Sequence, residues 1–222
     1  YLPAASYKFV QQVNGKGVFS FCMCPGGHIV PSATAPGEVV VNGMSASTRS
    51  SRYANSGMVV SVEPEDLKTY MQHGKLAGLI FQQDMEKMAW EAGGKTQAAP
   101  AQRMVDFTNG KFSNNLNECS YIPGINSAPL HELLPSMIGD RLQKGFKAFG
   151  RKMKGYYTNE ANILGVESRT SSPIRIPRDG ELLNHPQITN LYPCGEGAGY
   201  AGGIVSAAID GERCAEAIQR AQ

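Results

Sequence analysis

The chain has little excess charge of either sign. Its 222 residues include 21 lysines and arginines against 19 aspartates and glutamates, a net charge of +2 at pH 7. Such a balance gives no strong field for nucleic acid or an anionic membrane surface. Long apolar runs are also absent, because stretches such as GVFSFCMC fall far short of the roughly 20 residues of a membrane helix. We therefore expect neither nucleic acid nor a membrane as a partner.

Cysteine is sparse, and no signal peptide is recognisable. The five cysteines are an odd number in a chain too large to need disulfide stapling, which favours a reducing compartment. Together with the missing signal peptide, this predicts a cytoplasmic protein. The first residue is Tyr1 rather than Met, and we expect the intact protein to extend upstream.

Glycine and proline are plentiful, with 25 and 13 residues, and they divide the first part of the chain into short segments. Apolar stretches between residues 6 and 62 alternate with turn sequences such as NGKG, PGG and APG. Strands joined by turns this short can pair only antiparallel. The pattern predicts a β-rich region over residues 1–62.

A mostly helical insert is predicted over about 67–154. The segment LAGLIFQQDMEKMAWEA has helical spacing and stops at Gly93 and Gly94, and LHELLPSMIGDRLQKGFKAFGRKM repeats that spacing. Strand signals return over about 160–175.

The closing segment LYPCGEGAGYAGGIVSAAIDG combines a predicted strand ending at Cys194, a glycine-rich loop and a helix starting near Ile204. The loop glycines are Gly195, Gly197, Gly199, Gly202 and Gly203. Main chain without side chains, just before a helix N-terminus, lets a bulky ligand approach and favours negative charge. Glu196 could accept hydrogen bonds from sugar hydroxyls. The segment predicts a cofactor cradle, with a tight structural connection as the alternative.

Cys22 and Cys24 alternate on a predicted strand, so that both thiols would face one side. A redox or metal site with His28 is one interpretation, and two small core-facing side chains is the other. Because a second ligand pair is missing, we expect no metal site. The loop NGMSASTRSSRYANSG adds Arg49, Arg52, Tyr53 and Asn55 as side chains able to reach an anionic or carbonyl substrate, with a solvated loop as the alternative.

Four segments in order resemble one protein family. They are YKFVQQVNGKGVFSFCMCPGGHIVPSATAPGEVVVNGMS, APAQRMVDF, GVESRTSSPIRI and LYPCGEGAGYAGGIVSAAIDG. Together they resemble the C-terminal portion of the bacterial family of predicted FAD-dependent dehydrogenases, also called NAD(FAD)-utilising dehydrogenases or FAD-dependent proteins.

The resemblance implies a fold class between α+β and α/β. An antiparallel β-rich substrate or cap domain with the helical insert would occupy 1–175. Residues 176–222 would supply the last strand, loop and helix of an FAD/NAD(P)-binding Rossmann-like domain. The N-terminal half of that domain, which carries the ADP-binding motif, is missing from this sequence and would be a partner of the chain.

The resemblance also implies the site and the activity. Gly195, Glu196, Gly197, Gly199, Gly202, Gly203 and Ile204 would lie on the flavin side. Arg169 and Thr170 would face the substrate or the N1–C2=O edge of reduced flavin. The implied activity is hydride transfer through FAD by an oxidoreductase acting on a small molecule, with NAD(P)H as a candidate electron donor. The alternative is a non-catalytic binding or interaction module, and the substrate, the electron acceptor and the oligomeric state stay open.

Overall fold

A computed structural model describes residues 9–221 and divides them into two compact units. Unit 1 comprises residues 9–66 and 83–168, and unit 2 comprises residues 67–82 and 169–221. The fold is mixed α and β, as predicted. The domain boundary expected after residue 175 stays a prediction, since the compact units meet in the sequence at Ser168 and Arg169.

The first part of unit 1 is antiparallel sheet, as predicted. The strands are β1 (Phe9–Val13), β2 (Lys16–Cys24), β3 (Gly27–Pro31), β4 (Val41–Ser45) and β5 (Asn55–Val60). They form a three-stranded sheet of order β1-β2-β5 and a separate β3-β4 hairpin. The tight turn after β1 uses Asn14 at φ 51° and Gly15 at φ 75°, the left-handed conformation that two-residue hairpin loops require. Residues 6–8 of the predicted first strand lie outside the described residues.

A further sheet, which the sequence did not predict, passes through the stretch predicted as a mostly helical insert. β6 (Ala99–Arg103) pairs with β7 (Ile125–Ser127) in parallel and with β8 (Asn162–Leu164) antiparallel. Two of these three strands lie inside the stretch predicted as helical. The β6 sequence APAQR is short and built largely of small buried residues, so it carries no hydrophobic alternation that the sequence could reveal. Over about 160–175 the structure forms only β8.

The described residues contain five α-helices. They are α1 (Ala77–Ala92), α2 (Met104–Thr108), α3 (Leu130–Leu133), α4 (Ser136–Lys152) and α5 (Ile204–Arg220). A 3-10 segment over Pro64–Leu76 precedes α1 and is interrupted at Leu67 and Gly74. Helix α1 ends directly before Gly93 and Gly94, as the sequence predicted. None of the helices described is long and apolar enough to cross a membrane.

Unit 1 has a large apolar core. Its main cluster comprises Val13, Val18, Met104, Phe107, Leu130, Leu142, Phe146 and Phe149. Helix α4 contributes three of these side chains at helical spacing, which explains why its periodicity was readable from the sequence. The same helix carries the buried Arg141, whose guanidinium makes two hydrogen bonds to Asp66, at 2.8 and 3.2 Å.

Unit 2 has a much smaller core and no strand among its described residues. Its cluster holds only Leu183, Cys214 and Ala217, with Tyr192 packed against it. The predicted strand ending at Cys194 is therefore wrong for this chain, although the loop and the helix that follow it are present. A strand needs a neighbour for its backbone hydrogen bonds, and the described part of unit 2 offers none. The Rossmann-like origin of this segment stays a prediction.

Helix α5 exposes the apolar stripe that the sequence identified. Ile204 is 92% exposed and Ile218 is 38% exposed, and Ala208 and Ala215 between them are exposed as well. The buried face is instead formed by Asp210, Cys214 and Ala217. Unit 2 thus buries the face of α5 that carries Asp210, Cys214 and Ala217, and leaves the isoleucines of the helix exposed.

Candidate functional site

The glycine loop, residues 195–203, leads directly into α5. Two backbone hydrogen bonds fold its first half into a turn, from Gly199 N to Glu196 O at 2.9 Å and from Tyr200 N to Gly195 O at 3.0 Å. Gly195 and Gly199 adopt φ values of 72° and 85°, a region that disfavours residues with a Cβ. Backbone conformation alone therefore accounts for glycine at these two positions.

The other glycines of the loop border open space. A Cβ added at Gly197 or Gly202 would meet no atom within 4 Å, and neither residue has a positive φ. At Gly203 it would meet only the Ser206 hydroxyl, at 3.9 Å. Gly199 differs, since a Cβ there would lie 2.7 Å from the backbone oxygen of Ile174. The chain's own packing thus explains Gly199 but leaves Gly197 and Gly202 without a reason inside the described residues.

A buried ion pair anchors the start of the loop. Arg178 donates to both carboxylate oxygens of Asp210, at 2.7 and 2.9 Å, and to the backbone oxygen of Pro193 at 2.9 Å. Asp210 also accepts a hydrogen bond from Gly195 N at 2.8 Å. The Arg178 guanidinium holds the pKa of the Asp210 carboxyl below its usual range. The main chain on both sides of Cys194 is therefore fixed to the buried face of α5.

The segment RTSSP (169–173) contacts the glycine loop through Ser172. The Ser172 hydroxyl lies 2.7 Å from the backbone oxygen of Ile174 and 3.1 Å from that of Gly197. Two residues earlier, Thr170 Oγ1 is buried and has no hydrogen-bond partner among the described residues. A buried hydroxyl without a partner costs free energy unless a ligand or water satisfies it. Glu196 is half-buried, and Ile204, the first residue of α5, is almost fully exposed.

The regular alternation that would place Cys22 and Cys24 on one face of β2 is broken. The register of β2 against β5 shifts between Phe21 and Cys24, and Cys22 has φ 49°, so the alternation expected of a regular strand is broken. Cys22 is exposed and Cys24 is half-buried, so neither thiol is a core side chain. Burial, together with the charges of Glu167 and Cys24, raises the pKa of the Cys22 thiol. A raised pKa lowers the fraction of this thiol that is thiolate at neutral pH.

Arg49 and Arg52 lie on an exposed loop of unit 1. The Arg52 guanidinium is 3.4 Å from the carboxylate of Glu118, and both side chains are largely exposed. The loop backbone packs closely on the turn after β2, because a Cβ at Gly26 would lie 1.9 Å from the Arg49 backbone oxygen. The structure thus brings the Arg49 loop and the Cys24 turn together, and a catalytic role for these residues stays a prediction.

Asn55 and Glu167 are two half-buried polar residues next to strand β5. Both polar atoms of the Asn55 amide are buried without a hydrogen-bond partner in the described structure, and the amide lies between Gly27 and Gly43. Gly57 follows Asn55 by two residues on β5. The Glu167 carboxylate packs against Gly57, because a Cβ added at Gly57 would lie 2.6 Å from Glu167 Oε2. Burial raises the pKa of Glu167.

Sequence reasoning identified Asn55 but missed Glu167. The glutamate lies inside the segment GVESRTSSPIRI, where Arg169 and Thr170 drew attention as the polar residues. A signal was present in the glycine opposite, because Gly57 interrupts a strand of larger apolar residues. A strand glycine often marks the close approach of another group, and here that group is the Glu167 side chain.

The comparisons with known proteins identify the family of the chain. Residues 1–170 match the family described as FAD-dependent protein, C-terminal domain-like, and the chain belongs to that family. It is also 42% identical over 221 residues to an uncharacterised protein of Clostridium beijerinckii. That match covers 98% of this chain and 41% of the relative. The chain thus spans about two-fifths of the length of the curated relative it matches.

Proposed function

We propose that this chain is the C-terminal part of a flavin-dependent oxidoreductase, and that the glycine loop binds the flavin of FAD. The observation that carries the proposal is the open main chain at Gly197 and Gly202, directly before the N-terminus of α5. Glycine at these positions is not required by backbone conformation or by internal packing. A large planar ligand lying against the bare backbone supplies the missing reason.

The residues around the loop fit such a ligand. The first backbone N–H groups of a helix have no intrahelical acceptor, so the N-terminus of α5 at Ile204 favours an electron-rich carbonyl or a developing negative charge. The buried Thr170 hydroxyl can donate to the ligand, and the Glu196 carboxylate can accept from ribityl hydroxyls. FAD, when bound, supplies the hydride chemistry, whereas these residues orient the ring and stabilise its charge.

The partner of unit 2 in this proposal is the N-terminal portion of the same protein. Next to Ile204 of the apolar stripe, α5 also exposes Val205 and Ile209. Ile204, Val205 and Ile209 are 92, 71 and 51% exposed. Residues of this size are normally covered in a folded protein, so the stripe marks an interaction surface. The much greater length of the Clostridium relative provides the chain needed to cover it.

Unit 1 is assigned the substrate side of the enzyme. Asn55 offers a buried amide with all of its hydrogen-bonding capacity available, and Glu167 offers a carboxyl group that burial keeps protonated to higher pH. Such groups can bind a polar substrate or hold a proton near it. The substrate, the use of NAD(P)H and the cytoplasmic location stay predictions.

The test uses the full-length protein that contains this chain. Gly197→Ala and Gly202→Ala each add one methyl group facing the open side of the loop. We expect the flavin content of the purified protein to fall, and its flavin dissociation constant to rise by about tenfold or more, which corresponds to about 1.4 kcal/mol. Flavin absorbance and a fluorescence titration measure both quantities.

Gly211→Ala is the matched control. It also adds a methyl group into open space, but within α5 rather than in the loop. Alanine is the better helix former by about 0.5–1 kcal/mol, so the control should fold at least as well and bind flavin normally. A full-length protein that binds no flavin, or loop variants that bind it like the control, would overturn the proposal in favour of a non-catalytic interaction module.

A further inference from the structure

Two cysteines far apart in sequence meet on the buried face of α5. Cys194 comes directly before the glycine loop, and Cys214 lies one helical turn after Asp210 on the same face of the helix. The sulfur atoms of both cysteines and a carboxylate oxygen of Asp210 all lie within 4.8 Å of one another. Cys194 is exposed and Cys214 is only 4% exposed.

The approach of the two thiols is built into the fold. Arg178 binds the backbone oxygen of Pro193, and Asp210 binds the backbone nitrogen of Gly195, so the residues on both sides of Cys194 are held against α5. The helix in turn fixes Cys214, which belongs to the small core of unit 2. The contact between the thiols thus depends on directed polar contacts rather than on a chance loop conformation.

The same groups argue against a metal ion bound by this cluster. Both oxygens of Asp210 already accept hydrogen bonds from Arg178, and the guanidinium lies 3.5 Å from the sulfur of Cys214. A divalent cation would have to displace that positive charge from its carboxylate. Thiol chemistry needs no such displacement.

We propose that Cys194 and Cys214 are a redox-active pair that forms a reversible intrachain disulfide at the entrance of the glycine loop. Cys194 is the exposed member and attacks first. Cys214 is the resolving thiol, since burial raises its pKa although the Arg178 charge opposes that shift. The pair is independent of the flavin proposal, because the two thiols lie close together without any ligand at the glycine loop.

The oxidant is a small-molecule disulfide of the glutathione type. The thiolate of Cys194 attacks one sulfur of the oxidant, which forms a mixed disulfide and releases one thiolate. The thiolate of Cys214 then attacks the Cys194 sulfur, forms the Cys194–Cys214 bond and releases the second thiolate. The two protein thiols lose two protons and two electrons in total, and the electrons leave on the two released thiolates.

A Cys194–Cys214 disulfide would join the residue that directly precedes the glycine loop to the middle of α5. Disulfide geometry places the two sulfur atoms about 2 Å apart, so the thiols must approach from the present arrangement. The disulfide would add a covalent restraint directly before Gly195, the first residue of the loop. The consequence for flavin binding rests on the function proposed above, whereas formation of the bond does not.

The experiment exposes the full-length protein to glutathione disulfide over a range of ratios to reduced glutathione. Remaining thiols are alkylated, and the peptides are identified by mass spectrometry without reduction. We expect a peptide pair joined through Cys194 and Cys214 that disappears on reduction. Cys214→Ser should stop at the mixed disulfide on Cys194, and Cys194→Ser should give no adduct at position 214.

Cys119→Ser serves as the control, because it removes a half-buried thiol of unit 1 and should leave the joined peptides unchanged. Absence of the joined peptides over the whole range, a Cys194 disulfide only between protein molecules, or tight zinc binding that blocks both thiols would each overturn the proposal. Because the readout is covalent, a protein that binds no flavin could still form the bond. Failure of one proposal is therefore distinguishable from failure of the other.

Discussion

Unit 1 is held together mainly by apolar packing, whereas unit 2 depends on directed polar contacts. The main cluster of unit 1 includes three phenylalanines, while the apolar cluster of unit 2 comprises Leu183, Cys214 and Ala217. Ala77, Phe81 and Ala198 are the other buried apolar residues in the described sequence ranges of unit 2. Apolar burial stabilises by roughly 25 cal/mol per Å², so the two cores differ greatly in what they can contribute. Unit 2 instead relies on the buried pair of Arg178 and Asp210 and on the hydrogen bonds around it.

The difference indicates which unit depends more on an additional surface to bury its apolar side chains. Unit 1 buries three phenylalanines in its main cluster, although Phe112 and Ile122 are exposed. In unit 2 the large apolar side chains of α5 are exposed. A segment with little core and an exposed apolar helix face is expected to depend on another surface for much of its stability. The loop assigned to the flavin thus lies in the less self-sufficient unit.

The largest effect is expected in the core of unit 1. Phe149 is fully buried, and Phe149→Ala should lower the free energy of unfolding by about 3–5 kcal/mol, because it removes a large apolar group and leaves a cavity. Urea unfolding followed by circular dichroism measures the change. Phe112→Ala is the control, since Phe112 is 50% exposed and should change stability by about 0.5 kcal/mol or less. Equal effects of the two variants would contradict the conclusion that apolar burial in the main cluster stabilises unit 1.

The next effect concerns the polar anchor of unit 2. Asp210→Asn leaves Arg178 buried without its counter-charge and should cost about 3 kcal/mol. The amide of Gly195 should then exchange hydrogen faster, because its acceptor is weakened. Asp66→Asn breaks the comparable pair with Arg141 in unit 1 and should not alter exchange at Gly195. Unchanged exchange in Asp210→Asn would show that the pair does not hold the loop.

The same pair predicts an acid response. The pKa of Asp210 is lowered in the folded protein, chiefly by hydrogen bonding to Arg178. Its contribution to stability is therefore complete above the unfolded pKa of about 3.9 and is lost as the pH falls through the lower folded value. Acid titration of stability should show a weaker loss in Asp210→Asn than in the unaltered chain, and an identical loss would be inconsistent with the pair.

Glu167 should respond with the opposite sign, and by less. Burial raises its pKa, so the folded state favours the protonated form and loses stability as the pH rises from about 4.3 through the folded value. Glu167→Gln removes the ionisation and should make the chain modestly more stable at neutral pH but not at pH 4. Urea unfolding at the two pH values measures the difference, and destabilisation at neutral pH would be the contrary result.

The smallest effect on the chain itself is expected at the exposed stripe of α5. Ile209 is 51% exposed, and Ile209→Ser should change the stability of this chain by about 0.5 kcal/mol or less. In the full-length protein the same substitution should lower the melting temperature clearly, because the stripe is proposed to be covered there. An unchanged melting temperature of the full-length protein would contradict the proposal that an N-terminal portion covers this face of α5.

Local chemistry made much of this structure predictable. Asn14 and Gly15 specify the β1-β2 turn, Gly93 and Gly94 terminate α1, and the apolar spacing around Leu142 and Phe146 defines α4. The glycine loop was equally visible, because five glycines in nine residues are rare before a helix. The resemblance to the FAD-dependent family also depended on such contiguous segments, and the family match over residues 1–170 confirms it.

Other features could not be predicted, because they depend on neighbours distant in sequence. β6 is a strand only because β7 and β8 pair with it, and the predicted strand at Cys194 is absent because its unit supplies no partner. The irregular register of β2 broke the alternation that was expected to place Cys22 and Cys24 on one face. The Glu167 side chain packs against Gly57 of β5, a contact between residues 110 positions apart.

The sequence by itself determined the short antiparallel strands, the long helices α1 and α4, and the glycine loop before α5. Each of these depends on the conformational preferences of adjacent residues. Only the tertiary structure decided which face of α5 is buried, which glycines of the loop stay open and which thiols meet. Those outcomes depend on ion pairs and packing between distant segments, such as Arg178 with Asp210. No local pattern encodes such contacts, because their free energy exists only when the folded chain brings the groups together.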